Sequence, residues 1–206
     1  KLKEDDKILQ EIETHNKADL LLFSNKHTVY KLKIHELNDC KASSLGEYLP
    51  NLLGLEGDEK IIYLVATDDY SGYILFSFQN GKMAKIDLSS YATKTNRKKL
   101  ANAYSDLSPL VNIMHITADL DLVAFSSINK VLVFNSSAVN SKSTRDCQGV
   151  QVLKSKKGSI MTAVKPLSQV RLNDPDYYRT QNIPAVGCYL KSEDEEEKQL
   201  KLDIDV

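Results

Sequence analysis

The chain has no tryptophan, only three cysteines, and no long apolar run. Without tryptophan the repeat signature of WD-type propellers is missing. Cys40, Cys147 and Cys188 lie far apart, are odd in number and form no CxxC pair, which points to a reducing compartment rather than a disulfide framework. A zinc site needs about four clustered ligands. His15, His27, His35 and His115 show no i, i+4 pairing and join the cysteines in no ligand spacing, so they read as turn and strand-face residues and no metal site is expected. Nothing approaches the ~20 apolar residues of a membrane span, and the N-terminus does not resemble a signal peptide. Enzyme signatures are missing as well: there is no GxSxG, no P-loop, no His/Cys/Asp cluster and no carboxylate pair at repeated strand ends. The opening KLKEDD lacks Met and reads as the start of a piece excised from something longer.

What is present is a repeated hairpin. In Tyr73–Tyr91, YILFSFQNGKMAKIDLSSY, two apolar runs flank Asn80-Gly81, a pair that predicts a two-residue type I′ turn with φ > 0 at both central positions. An upstream copy, Leu20–Leu37, places His27 where Gly81 sits. A downstream copy, Leu120–Val139, places Asn129 there. By subtraction of residue numbers, 54 residues separate His27 from Gly81 and 48 separate Gly81 from Asn129. Glycine and asparagine tolerate the left-handed conformation, and histidine is among the enriched exceptions.

Further apolar segments precede each hairpin: Lys7–Ile12, Lys60–Val65 and Val111–Ile116, with Ser159–Val164 opening a fourth unit. Polar loops followed by short apolar runs come after, at Cys40–Glu56, Thr95–Tyr104 and Ser143–Lys154. Each unit thus holds four short strands in roughly 50 residues, the spacing of propeller-like blades. The expected units are 1–56, 57–107 and 108–157, with a partial fourth from 158. Pro50 is expected at a strand edge or bulge within Tyr48–Leu55. Residues 167–206 form a C-terminal extension with a closing strand expected at 183–190.

Charge is uneven. Residues 191–206 carry three lysines and seven carboxylates, a net of −4, so with −1 overall the first 190 residues sum to +3. Such a tail reads first as a solvated, disordered end; folded back, it would compete for a basic surface. The cations of the body gather in connections: Lys41 in the first polar loop, Lys94, Arg97, Lys98 and Lys99 in the second, Lys142 and Arg145 in the third, and Lys154, Lys156 and Lys157 at the next turn. Lysines at equivalent loops of a curved repeat array suit the regular phosphates of a duplex.

Leu20–Leu37 followed by KASSLGEYLPNLLGLEGDEKI (Lys41–Ile61) resembles the C-terminal domain of bacterial type II topoisomerase A subunits, those of gyrase and topoisomerase IV. The match runs in register through about Pro166, and IPAVGCYL (Ile183–Leu190) resembles the end of some topoisomerase IV-like A subunits. The resemblance implies an all-β β-pinwheel, a disc of four-stranded blades that exchange strands, here with about three blades and an incomplete fourth. It also implies a non-catalytic module that binds and bends duplex DNA on a basic rim, positioning it for ATP-dependent strand passage. The ten cations above are then the DNA-binding candidates, contacting DNA without reading its sequence.

The implied partners are the rest of the A subunit, together with the ATPase B subunit, in a heterotetramer. No membrane contact is implied, and the location is cytoplasmic and nucleoid-associated in bacteria. No cofactor is expected in this chain; the parent enzyme would use ATP and Mg²⁺ through other domains. Tyr177 and Tyr178 do not fit the family's nucleophile, which follows an arginine in another context, so no catalytic residue is expected. The glutamine-arginine-glycine-rich box of gyrase is missing, and the loops at Lys41–Gly46, Asn96–Ala101 and Arg145–Gly149 do not fit it. Either a blade bearing it lies upstream of Lys1 or the parent behaves like topoisomerase IV, and both alternatives stand. A protein-interaction propeller without nucleic-acid binding is the other reading.

Overall fold

Apolar residues fill both faces of the hairpin strands, so each hairpin sits at the centre of a sheet rather than at its edge. The computed structural model describes residues 7–41, 43–95 and 97–195. Its strands are β1 (Asp19–Ser24), β2 (Thr28–Lys33), β3 (Ile61–Thr67), β4 (Tyr73–Phe78), β5 (Lys82–Asp87), β6 (Lys99–Ala101), β7 (Leu110–Ile116), β8 (Asp121–Ser126), β9 (Lys130–Asn135), β10 (Ser141–Lys142), β11 (Val150–Gln151), β12 (Met161–Pro166) and β13 (Cys188–Tyr189). One short helix, α1 (Leu49–Leu53), lies between β2 and β3.

The three hairpins form as expected, β1–β2, β4–β5 and β8–β9. Their turns differ from the expected type. The β4–β5 loop has three residues, Gln79–Gly81: Gly81 N–H donates to Phe78 O at 3.0 Å, and Gly81 alone of Asn80-Gly81 has positive φ, 81°. His27 (φ 57°) and Asn129 (φ 55°) hold the same place in the other two. A turn followed by one left-handed residue matches the strand twist as a type I′ pair does, and needs only that residue to tolerate φ > 0. Histidine and asparagine therefore suffice where a type I′ turn would call for Asn-Gly.

The sheets run β3-β1-β2-β6, β10-β5-β4-β7 with β11 also on β5, and β12-β8-β9-β13. Among the described residues every pairing between these strands is antiparallel except β10 with β5, and isolated parallel bridges join Val133 to Arg179 and Leu153 to Ala185. Each hairpin receives an outer strand on both sides, and both come from later in the chain. The segment Lys60–Val65, which the sequence sets at the head of the second unit, lies in β3 from Ile61 onward and pairs with β1. Val111–Ile116 likewise pairs with β4, and Ser159–Val164 lies in or beside β12 and pairs with β8 in the third sheet. Ile183–Leu190 contributes β13, which closes that sheet on β9.

Lys7–Ile12 is not a strand. Gln10 instead reaches β3 with its side-chain amide, accepting from Leu64 N–H and donating to Leu64 O, both at 2.8 Å. Pro50 lies in α1 and not in a strand: a proline in the first helical turn loses no bond, and Gly54 ends the helix at φ 63°.

The chain divides into two compact units, 1–71 with 88–105, and 72–87 with 106–206. In the first unit, Leu20, Leu22, Tyr30 and Leu32 point to one face of the sheet and are covered by Leu49 and Leu53 of α1 with Ile34, Leu37 and Leu55. In the second, a core from Leu75 and Met83 through Leu132, Phe134 and Val152 to Met161 packs the second and third sheets together. The C-terminal extension covers the other face of the third sheet, where Tyr178 joins Val123, Val131 and Val133. Among the described residues, no helix is long and apolar enough to cross a membrane.

Candidate nucleic-acid interface

The outer edge of each hairpin's second strand sets the geometry of the cationic loops. On β2 that edge takes β6, with Tyr30 opposite Lys99 and Val29 opposite Leu100. Lys31 N–H extends the pairing to Lys98 O at 2.9 Å. The connection that carries Lys94, Arg97, Lys98 and Lys99 is thereby laid along the strand, and all four side chains are exposed. Its scaffold is buried. Tyr91 donates its hydroxyl to Ala103 O at 2.6 Å, while Lys31 Nζ, turned inward, holds Tyr91 O at 3.1 Å and Thr93 Oγ1 at 3.0 Å. Burial pushes the Lys31 ammonium below its ordinary pKa, against the pull of Asp19.

Two of these cations already have local partners. Lys98 Nζ lies 3.0 Å from Glu36 Oε2. Lys99 Nζ sits over the Tyr30 ring, 5.3 Å from its centroid, and its contact with the Tyr30 hydroxyl raises its pKa. Tyr30 in turn donates to Glu59 at 3.0 Å, and Ser24 satisfies the other oxygen of that carboxylate at 2.7 Å.

In the second unit the same edge of β5 takes β10 and β11. Ser141 and Lys142 pair with Lys85 and Ile86, Val150 and Gln151 with Met83 and Lys82, and the intervening loop bears Arg145. Gly149 (φ 75°) makes the return so tight that a Cβ there would overlap the Met83 carbonyl. Lys142 is exposed and Arg145 half-buried. Beneath the loop, Lys85 is 5% exposed; its ammonium lies over Tyr73 and 2.6 Å from Asp119, whose pKa is lowered first by that bond and then by Ser136.

The remaining candidates lie elsewhere. Lys154, Lys156 and Lys157 are exposed in the β11–β12 connection, and the matching β6–β7 connection, 102–109, has no cation. Lys41 is exposed in the loop before α1 and belongs to no strand.

Sequence reading missed that the third sheet carries the same edge device. Arg179 bridges Val133 in parallel as Ser141 does Lys85, and Cys188 pairs with Val131 as Val150 does with Met83. Gly187 (φ 73°) matches Gly149. In all three sheets the exchanged segment donates to the carbonyl of the left-handed turn residue: Ala103 to His27 at 2.9 Å, Val152 to Gly81 at 2.9 Å, Leu190 to Asn129 at 2.8 Å. The faint signal was Gly187-Cys188-Tyr189 against Gly149-Val150-Gln151. This third loop, Thr180–Gly187, holds no lysine or arginine. Arg179 at its start is bound by Asp121 at 2.9 Å and Asp176 at 2.8 Å.

Tyr178 is structural. Its hydroxyl donates to Asp194 Oδ2 at 2.6 Å and accepts from Lys191 N–H at 2.9 Å, and burial, then Asp194, push its pKa up to about 12. Asp194, 4% exposed, also accepts from Asn173 N–H at 2.8 Å. The head of the acidic tail is therefore docked and not a solvated end; the tail beyond Glu195 lies outside the described residues. Cys40, Cys147 and Cys188 are unpaired thiols.

These features define an all-β module of hairpin-centred sheets completed by exchanged strands. No family model matches the chain. It is 27% identical over 195 residues to the DNA gyrase A subunit of Mycoplasma pneumoniae, an alignment covering 89% of this chain and 23% of that protein. It is 23% identical over 171 residues to the DNA topoisomerase 4 A subunit of Staphylococcus aureus, covering 82% of this chain and 21% of that one. The crystal structure of the C-terminal domain of DNA topoisomerase IV superposes with a TM-score of 0.69 at 27% identity, over 81% of this chain and 52% of that domain. The E. coli ParC C-terminal domain, at 11% identity and a TM-score of 0.69 over 88% of this chain and 80% of that one, shares the fold. The chain is thus a homologue of gyrase A and topoisomerase IV A subunits, with the β-pinwheel fold of their C-terminal domains, and spans under a quarter of the full-length relatives.

Proposed function

We propose that this chain is a non-catalytic DNA-binding and DNA-bending module of a type II topoisomerase A subunit. It holds duplex DNA in place for ATP-dependent strand passage carried out by other parts of the enzyme. The observation that carries this reading is the recurrence of cationic loops on the second-strand edge of two successive hairpins: Lys94, Arg97, Lys98 and Lys99 on β2, Lys142 and Arg145 on β5. Loops pinned by Tyr91–Ala103 and by Gly149 offer their charges without a large ordering cost. Lys41, Lys154, Lys156 and Lys157 add positive field without sharing that geometry. The interactions are with phosphate, so they position the duplex and do not read it.

The partners on this reading are duplex DNA of any sequence, the rest of the A subunit, and the ATPase B subunit, in a bacterial cytoplasm. ATP and Mg²⁺ act through those other domains, and this chain needs no cofactor of its own. The third sheet, whose matching loop is uncharged, lies outside the proposed DNA path.

The test is fluorescence anisotropy with labelled duplexes of unrelated sequence across a salt series. Neutralising Arg97, Lys98 and Lys99 to glutamine should weaken all duplexes alike and shallow the salt slope by roughly 0.9 for each phosphate no longer neutralised. Unchanged affinity and slope would remove these residues from the site.

A further inference from the structure

Beneath Lys98 and Lys99, in the first unit, is a cavity of about 210 Å³ that the DNA reading does not use. Its apolar lining is Leu32 from β2, Leu37 from the turn after it, and Leu52 and Leu53 from α1. Leu52 is 40% exposed, so this apolar lining is not sealed into the core. Lys98, Lys99, Tyr30 and Glu36 complete the lining.

The charges are unequally satisfied. Glu59, the half-buried carboxylate beside Tyr30, is held by Ser24 and Tyr30; its charge and that of Glu56 act on Lys99, but neither carboxylate lines the cavity. Among the described residues Glu36 pairs with Lys98, whose side chain is 69% exposed. Two ammonium groups and one carboxylate thus line the cavity beside its leucines. A wholly apolar guest would leave both cations to water, and a small inorganic anion would leave the leucines wet. An amphipathic anion satisfies both.

We propose that this cavity is a binding site for a small organic anion: an aryl or alkyl carboxylate or phosphate whose apolar body rests on Leu32, Leu37, Leu52 and Leu53 and whose anionic head meets Lys98 and Lys99. The volume suits a ring system of about the size of naphthalene, since an engineered cavity of about 150 Å³ holds benzene. Because the head takes the two lysines assigned above to phosphate, the ligand is a competitive regulator of the proposed DNA binding. In that respect the inference rests on the DNA reading; the site itself does not.

The probe is 2-naphthoate, titrated into the ¹⁵N-labelled chain and followed by NMR, with uncharged 2-naphthylmethanol as its isostere. Shifts should be confined to residues 30–37, 49–54 and 97–100. The alcohol should bind at least tenfold more weakly, and Lys98→Gln with Lys99→Gln should erase that difference. Glu36→Gln should tighten naphthoate several-fold. Equal binding of the two probes, or shifts scattered over exposed apolar residues such as Ile8 and Leu9, would overturn the site. A second arm adds labelled duplex: displacement by naphthoate supports the competition. Confined, charge-dependent shifts without displacement keep the site and remove Lys98 and Lys99 from the DNA path.

Discussion

The Tyr91 hydroxyl and the Ala103 carbonyl meet at 2.6 Å in the core, and between them the chain makes its most cationic excursion. A loop that carries four cations with no acid among Ala92–Lys99 repels itself, and this bond, with the Tyr104 hydroxyl on Ser24 O at 2.6 Å, ties it to the first sheet. Tyr91→Phe should cost about 1–3 kcal/mol, because it strands a buried carbonyl. Urea denaturation measures the loss, and a cost below about 0.5 kcal/mol, the low end for a hydrogen bond, would mean the loop is held by other interactions.

Gly149 and Gly158 separate backbone conformation from space. Both have positive φ, but only at Gly149 would a side chain strike backbone, the Met83 carbonyl and Ala84 N. Gly158→Ala should destabilise by about 1 kcal/mol and Gly149→Ala by clearly more, since the β11 return must shift. Thermal unfolding of the two variants side by side gives the ranking. Equal losses would show that the loop relaxes freely.

Glu36 occupies Lys98 as a phosphate would. Glu36→Gln should therefore tighten duplex binding about twofold to fivefold at low salt, the equivalent of ~0.4–1 kcal/mol and within the range of a surface pair, with the gain fading as salt rises. Anisotropy at two ionic strengths checks it. Weaker binding would show that Glu36 orients Lys98 instead of masking it.

Arg179 and Arg145 provide a paired contrast within the second unit. Arg145→Gln should weaken duplex binding; Arg179→Gln, in the third sheet outside the proposed DNA path, should leave it unchanged and lower only stability through its lost pairs with Asp121 and Asp176. Loss of DNA affinity in the Arg179 variant would extend the DNA path to the third sheet. Truncation before Ser192 removes Asp194 and its bonds to Tyr178 and Asn173, so competition by the acidic tail is tested cleanly only by truncation after Glu195. Tighter binding after that cut would mark the tail as a competitor.

Acid should unfasten the hairpin bases. Asp119 is held below the ordinary 3.8 by Lys85 and Ser136, and Asp121 by Asn135 and Arg179. A carboxylate whose folded pKa is depressed contributes stability above its unfolded pKa and loses it as pH falls through the folded one. Stability should thus fall below about pH 4, and Asp119→Asn should flatten the decline. Urea midpoints from about pH 6 to about pH 3, spanning the carboxylate range, decide this; a parallel decline in the variant would assign the acid sensitivity elsewhere.

The hairpins were legible because local alternation fixes them, and the family resemblance was carried by Leu20–Leu37 and Lys41–Ile61. Strand membership was not. Lys60–Val65 is equally apolar whether it opens one sheet or closes another, and only pairing over long separations decides. Pro50 illustrates a second limit: its missing N–H suits a strand edge and a first helical turn alike, and the apolar face above Leu20 and Leu22 chose the helix. The cationic loops were visible as composition, but their sorting into edge loops and ordinary turns depended on Gly149 and Gly187, two glycines among eight. Asp194 was hidden among acids that look alike until one of them finds a tyrosine.

Strand exchange has a consequence for how this chain can be dissected. The hairpin β4–β5 belongs to the second unit, yet along the chain it falls between β3 and β6 of the first. No single cut yields either unit whole: a fragment ending at Ser105 carries an orphaned hairpin, and one starting at Asp106 lacks two central strands. The smallest piece that can mature as a body is therefore set by interlocked connectivity and not by the repeat length.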